Sequence, residues 1–127
     1  MPFVQIDIQK GYDKKTVLQI KETVMDSVQE ALQVPGDDRN VLITEHDRDL
    51  FTMKPPYEIF IEIKLFAGRT YETKKKMYAS IVKSLHEKSG IPVENVLIML
   101  NEQPGENWAG RGGIPVSELD LGFKVEI

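Results

Sequence analysis

The second residue of the chain is proline, directly after Met1. Proline in second place permits removal of the initiator methionine, which leaves Pro2 as a secondary α-amine. An α-amino group is one of the few that titrates near neutrality without strong perturbation. Beside an apolar wall and near a cation its charged form is disfavoured, so it becomes a free base at pH 7. That is the condition for efficient general base catalysis. Met-Pro starts are nevertheless common, and proline is tolerated at the first residue of a strand for structural reasons alone.

Two further sites carry charge where chemistry could use it. Gly68-Arg69-Thr70 falls where a strand pattern ends and a helix pattern begins. Arg69 would sit beside the unpaired N–H groups and positive dipole end of that helix, a poor place for stability because like signs meet. It is a good place for holding a carboxylate, which the guanidinium fork and the helix end can both bind. A solvated arginine paired elsewhere is the plainer alternative. Asp37-Asp38-Arg39 is either a polar loop or a source of one carboxylate that orients the amine or a water.

Other candidates read as structural. His46, within Glu45-His46-Asp47-Arg48-Asp49, has no second histidine at metal spacing and reads as a surface loop. His86, beside Glu87 and Lys88, reads as an exposed helix residue, and Lys74-Lys75-Lys76 as a solvated helix face. Gly110-Arg111-Gly112-Gly113 is not a phosphate loop, because no Lys-Ser/Thr pair opens a helix after it. No serine or threonine sits in a nucleophile-elbow pattern. With no cysteine in the chain, thiolate nucleophiles, disulfides and Cys-based metal sites are excluded. No cofactor and no metal is expected.

The elements that must position these residues follow from periodicity. Val4, Ile6 and Ile8 alternate over residues 3–9, a strand with one buried side that begins almost at the first residue. Gly11 breaks it and Asp13 can cap a helix. Val17, Ile20, Val24, Val28, Ala31 and Leu32 then mark one face of a helix over residues 14–33, which Pro35 and Gly36 stop. Val41-Leu42-Ile43 reads as a second strand. The pattern repeats: Ile59, Ile61, Ile63 and Leu65 alternate, Gly68 breaks, Thr70 caps, Met77, Ile81, Val82 and Leu85 mark a helix face, and Val96–Leu100 makes a strand. Gly11 matches Gly68, Val24 matches Ile81 and Pro35 matches Pro92 at one constant offset, so two β-α-β units stand in tandem.

The expected fold class is α+β. Each unit contributes two parallel strands joined by a right-handed crossover, giving a four-stranded sheet with both helices on one face. Unit boundaries fall at 2–54 and 55–102 of a single domain spanning 1–127, with a Gly/Pro-rich tail over 103–127. The alternating Phe123-Lys124-Val125-Glu126-Ile127 at its end is expected to pair with a neighbouring sheet edge. The second sheet face is too apolar to stay wet, and packing several subunits around a common axis would cover it.

The 127 residues are 41% hydrophobic and 28% charged, enough to bury a core and too apolar for disorder. Sixteen basic against twenty acidic residues give a net charge of -4, no electrostatic footprint for nucleic acid. Apolar runs are too short for a membrane span and the start shows no targeting pattern, so a soluble cytoplasmic domain is expected.

Pro2, the tandem β-α-β units and the arginine at the second strand–helix junction together resemble the tautomerase superfamily, built around 4-oxalocrotonate tautomerase and macrophage migration inhibitory factor. The Val34-Pro35-Gly36-Asp37-Asp38-Arg39 turn, Glu45-His46, Arg69-Thr70-Tyr71-Glu72 and Trp108 are similar to its malonate semialdehyde decarboxylase branch. The resemblance implies Pro2 as catalytic acid or base, Asp38 as its helper, Arg69 as carboxylate holder, and Trp108 in the substrate site. It also implies a homotrimer acting on a small 2-oxo acid. The decarboxylase pattern has an Arg-x-Arg pair, and here its first position is Ala67. Strand alternation would put residues 67 and 69 on one side, so one positive charge is missing. Keto–enol tautomerisation of a 2-oxo acid such as an aryl pyruvate is therefore expected before decarboxylation or hydration with protonated Pro2. A non-catalytic trimeric interaction protein is the alternative of another class.

Overall fold

The computed structural model describes residues 1–127. Its main elements are β1 (Pro2–Gln9), α1 (Lys14–Leu32), β2 (Val41–His46), β3 (Ile59–Phe66), α2 (Tyr71–Ser89) and β4 (Val96–Gln103), followed by a short hairpin of β5 (Ala109–Gly110) and β6 (Ile114–Pro115). The helix starts are where capping chemistry places them. Asp13 accepts from the Thr16 amide at 2.8 Å, and Thr70 accepts from the Thr73 amide at 3.2 Å, each satisfying an orphan donor of the first turn. α2 ends on Gly90 in the left-handed region, at φ 68. α1 ends one residue short of expectation, because Gln33 itself adopts the left-handed cap at φ 54.

The sheet order is β2-β1-β3-β4. β1 and β2 are parallel, as are β3 and β4, while β1 and β3 run antiparallel along the seam between the two units. Antiparallel pairing at the seam sets Pro2 opposite Leu65, so the start of the chain meets the end of β3. Val4, Ile6 and Ile8 and their partners Ile59, Ile61, Ile63 and Leu65 are buried beneath Val17, Ile20, Val24 and Val28 of α1 and Met77, Ile81 and Leu85 of α2. Both helices therefore cover one face, and one core runs through both units. Each such aliphatic side chain contributes about 1.5–3 kcal/mol on burial.

The opposite face is open in the single chain. Leu42 is 52% exposed and Met99 46% exposed. Between them runs a polar seam in which the Lys64 ammonium lies 5.7 Å from the Phe3 ring centroid and bonds Gln5.

Several expectations are corrected. β2 does not stop at Ile43: Glu45 and His46 pair with Ile8 and Gln9, and the His46 ring reaches Asp7 Oδ1 at 2.6 Å. His46 thus closes a strand rather than riding a surface loop. β4 continues to Gln103 because Phe66 is there to pair with it. Lys74 is held by Glu102 at 2.6 Å, so the lysine run is not wholly solvated. The Phe123–Ile127 alternation forms no strand in the chain. Val125 packs on Gly68, and the Ile127 carbonyl accepts from the hydroxyls of Thr70 (3.0 Å) and Thr73. Within the single chain this end rests against the start of α2, and pairing with the edge of a neighbouring subunit remains an expectation about the assembly. No helix is long and apolar enough to cross a membrane.

Candidate active site

The site forms where β1 begins. Pro2 is buried as the first residue of that strand, a position where the missing N–H costs no ladder bond. Asp38 is brought to the same end by the turn after α1, and side chains bolt that turn down. The Gln29 amide donates to the carbonyls of Pro35 at 3.0 Å, Gly36 at 3.2 Å and Asp38 at 3.0 Å. Arg39 faces the other way, reaching Asp26 at 2.7 Å, Gln29 Oε1 at 2.6 Å and Glu22. The Asp26 hydrogen bond leads in raising its pKa above the ordinary guanidinium value. With Arg39 held on α1, Asp38 is left to face the chain terminus.

There it ion-pairs with the Met1 ammonium through Oδ2. Its other oxygen accepts from Asn40 Nδ2 at 3.1 Å, and the same amide nitrogen reaches the Pro2 carbonyl at 3.2 Å. Asn40 thus ties the carboxylate to the start of the strand. Sequence reasoning missed this role, although Asn40 stands at the head of a repeated Asn-Val-Leu-Ile run. While Met1 is attached, the Pro2 nitrogen is a tertiary amide and carries no proton chemistry.

Arg69 lies just past the end of β3 and is only 5% exposed. One nitrogen donates to the Phe66 carbonyl at 3.1 Å, whereas Nε and Nη2 are buried without a partner. Burial pushes its pKa down and Glu102 pulls it back up, but a guanidinium stays charged at any working pH. A buried fork with two unused donors is costly unless an anion meets it. Trp108 packs edge-on to Phe66, with centroids 5.2 Å apart, and its indole N–H is also buried and unpartnered. Ala67 and Arg69 do not share a side. The strand ends at Phe66, Gly68 turns the backbone at φ 138, and Ala67 is exposed while Arg69 is buried.

A cleft of about 420 Å3 opens beside the terminus. Met1, Asp38 and Asn40 line it, together with Arg111 of the hairpin and Leu121 and Phe123 of the tail. Pro2 is joined to this cleft through Met1, while Arg69 and Trp108 both contact Phe66 and are not among its walls. Arg111 and Phe123 are a second group that the sequence placed elsewhere, the first in a loop rejected for phosphate binding and the second in a pairing tail. Only the glycines around position 111 hinted at a turn there.

A family model described as "tautomerase enzyme" matches residues 38–111, more than half of the chain. The chain belongs to the tautomerase family. A probable tautomerase, YusQ of Bacillus subtilis, is 32% identical over 121 residues, covering 89% of this chain and 95% of the relative. A 2-hydroxymuconate tautomerase of Pseudomonas putida is 37% identical over 60 residues, which are 94% of that relative and 47% of this tautomerase. That is the proportion a fusion of two units requires. Among solved structures, a malonate semialdehyde decarboxylase inhibited by 3-bromopropiolate superposes with a TM-score of 0.79 at 27% identity, covering 87% of this chain and 91% of its own. A native fused 4-OT shares the fold with a TM-score of 0.82 at 20% identity, over 92% and 98% of the two chains. This tautomerase is accordingly an enzyme of isomerase type.

Proposed function

We propose that the chain, once Met1 is removed, is a cofactor-independent keto–enol tautomerase of small 2-oxo acids carrying an apolar group, such as an aryl pyruvate. The observation that carries this reading is the seating of the terminal ammonium against Asp38 at the mouth of a cleft with an apolar wall. Removal of Met1 converts the Pro2 amide into a secondary amine at the head of the same strand, beside Asn40 and Asp38. It also vacates the space of a side chain whose Cε lies close to Gly110.

In the proposed reaction the neutral Pro2 nitrogen takes a proton from the carbon next to the keto group. The C–H electron pair forms the C=C bond, and the carbonyl pair moves to oxygen. The ammonium on Pro2 then returns its proton to that oxygen, and the reverse sequence regenerates the ketone. Asp38 orients the amine, and the unused Nε and Nη2 of Arg69 match a bidentate carboxylate. Trp108, whose indole donor is likewise unpartnered, is assigned to the same substrate site. No cofactor takes part. We further propose that the open sheet face is buried in a homotrimer, a reading supported by the exposed Leu42 and Met99 and by a fused 4-OT of the same fold that forms a symmetric trimer.

The test is the ketonisation of enol phenylpyruvate, followed by ultraviolet absorbance, on protein whose terminus has been read by mass spectrometry. Processed protein should be active and protein retaining Met1 inactive, with Pro2→Ala lowering turnover far more than binding. Equal rates with and without Met1 would refute the role of Pro2. Because the likeness to the decarboxylase reaches 27% identity, malonate semialdehyde is assayed in parallel. Robust decarboxylation without tautomerase activity would replace the present reading.

A further inference from the structure

The hairpin of β5 and β6 carries an arginine to the cleft from a part of the chain outside both repeated units. Its turn is Gly110-Arg111-Gly112-Gly113, with Gly112 at φ 88 and Gly113 at φ 83. Arg111 itself sits at φ 41, a left-handed conformation that a residue with a Cβ rarely adopts. Its neighbours meet the same demand with glycine.

Neither of the other arginines near the site lines this cleft: Arg39 is engaged by Asp26 and Glu22, and Arg69 is buried beside the Phe66 carbonyl with Nε and Nη2 unpartnered. Arg111 is exposed, lines the same cleft as Met1, Asp37 and Asp38, and forms no ion pair or side-chain hydrogen bond within the chain. Asp38 does not recruit it, because the terminal ammonium and Asn40 already satisfy that carboxylate. An unneutralised guanidinium in one cleft with the chain terminus, Leu121 and Phe123 matches a ligand that carries both a carboxylate and an apolar group.

We infer that Arg111 is a carboxylate-binding, specificity-determining residue of this cleft, supplied by the hairpin outside both repeated units. The inference rests on the reading of Pro2 as the base only for its consequence in turnover; the binding claim stands on the cleft alone. The ligand class is an aryl- or alkyl-substituted carboxylate, and for turnover a 2-oxo acid.

Binding is measured by calorimetry with 3-phenylpropionate and its neutral partner 3-phenylpropionamide, on processed protein. The native protein should prefer the acid, and Arg111→Gln should reduce that preference by roughly tenfold to a hundredfold, the range for losing a charge-assisted hydrogen bond. Arg111→Lys should restore part of it. Arg111→Gly relieves the backbone while removing the charge, so it should lose the preference without losing thermal stability. With phenylpyruvate, Arg111→Gln should raise KM more than it lowers kcat. An acid-over-amide preference unchanged in both Arg111→Gln and Arg111→Gly overturns the inference, as does a native protein that binds neither compound. A protein that loses acid binding with Arg111→Gln yet never turns over phenylpyruvate leaves Arg111 in place and refutes the tautomerase reading of Pro2 instead.

Discussion

Replacing Asn40 by alanine removes one amide that touches both halves of the candidate site. Asn40 Nδ2 donates to the Pro2 carbonyl at 3.2 Å and to Asp38 Oδ1 at 3.1 Å. The backbone bond from the Val4 amide to the Asn40 carbonyl, at 2.8 Å, survives the substitution, so the β1–β2 pairing should persist. A neutral hydrogen bond contributes about 0.5–1.5 kcal/mol and one to a charged group about 1.5–3 kcal/mol. Both groups are half-buried, and water replaces part of what is lost, which brings the expected destabilisation to roughly 1–2 kcal/mol. For a chain of this length that is a fall in Tm of about 3–8 °C. The larger effect should be catalytic. Without Asn40 the Asp38 carboxylate keeps only its contact with the chain terminus, and misplacement of a reacting group by about an ångström costs up to roughly a hundredfold in rate. Ketonisation of phenylpyruvate should therefore lose at least about tenfold in kcat, with the acid-over-amide preference in binding retained because Arg69 and Arg111 are untouched. Thermal unfolding and steady-state kinetics on the same preparation separate the two effects. A variant with native kcat would refute the claim that Asn40 positions the carboxylate for the terminal amine, whatever its Tm.

Three other outcomes are expected. Arg69→Met removes a buried guanidinium with two unpartnered nitrogens, so Tm should hold or rise while kcat/KM for 2-oxo acids falls; a drop in Tm would mean the guanidinium is structural. Hydrogen bonds from Thr16 hold the Asp13 carboxyl below its ordinary value of 3.8, so its contribution to stability is complete above that value and is lost as pH falls through the depressed one. The stability gap between native protein and Asp13→Ala should accordingly be constant at neutral pH and close below about pH 4, as read by urea unfolding across pH; a gap that widens on acidification would reverse the assignment. Met99→Glu places a charge on the open sheet face and should convert a trimer to monomers by light scattering, and a native protein already monomeric at micromolar concentration would refute the proposed assembly.

How much of this was legible in the chain depends on the range over which each signal acts. The period of two in Val4, Ile6 and Ile8, the helical spacing of Val17 to Leu32, and the caps Asp13 and Thr70 are set by neighbours a few residues away. They could be read directly, and the repeat of the same pattern after 57 residues implied two parallel crossover units on one helix-covered face. The chemical eligibility of Pro2 is likewise a property of position in the chain. The antiparallel seam between β1 and β3 is a tertiary event, and it alone places the chain start beside the end of β3 and near Gly110. From it follow the parts that local pattern misplaced or passed over. Alternation put Ala67 and Arg69 on one side, but the strand had ended and Gly68 turned the backbone, so one is exposed and the other buried. The closing alternation of Phe123–Ile127 forms no strand within the single chain, where the Ile127 carbonyl accepts from the threonines at the start of α2, because a period of two becomes a strand only where an edge is there to pair with it. Asn40 and Arg111 are short-range silent: an amide and a guanidinium acquire a role only from what the fold sets against them, here the terminus of the same chain.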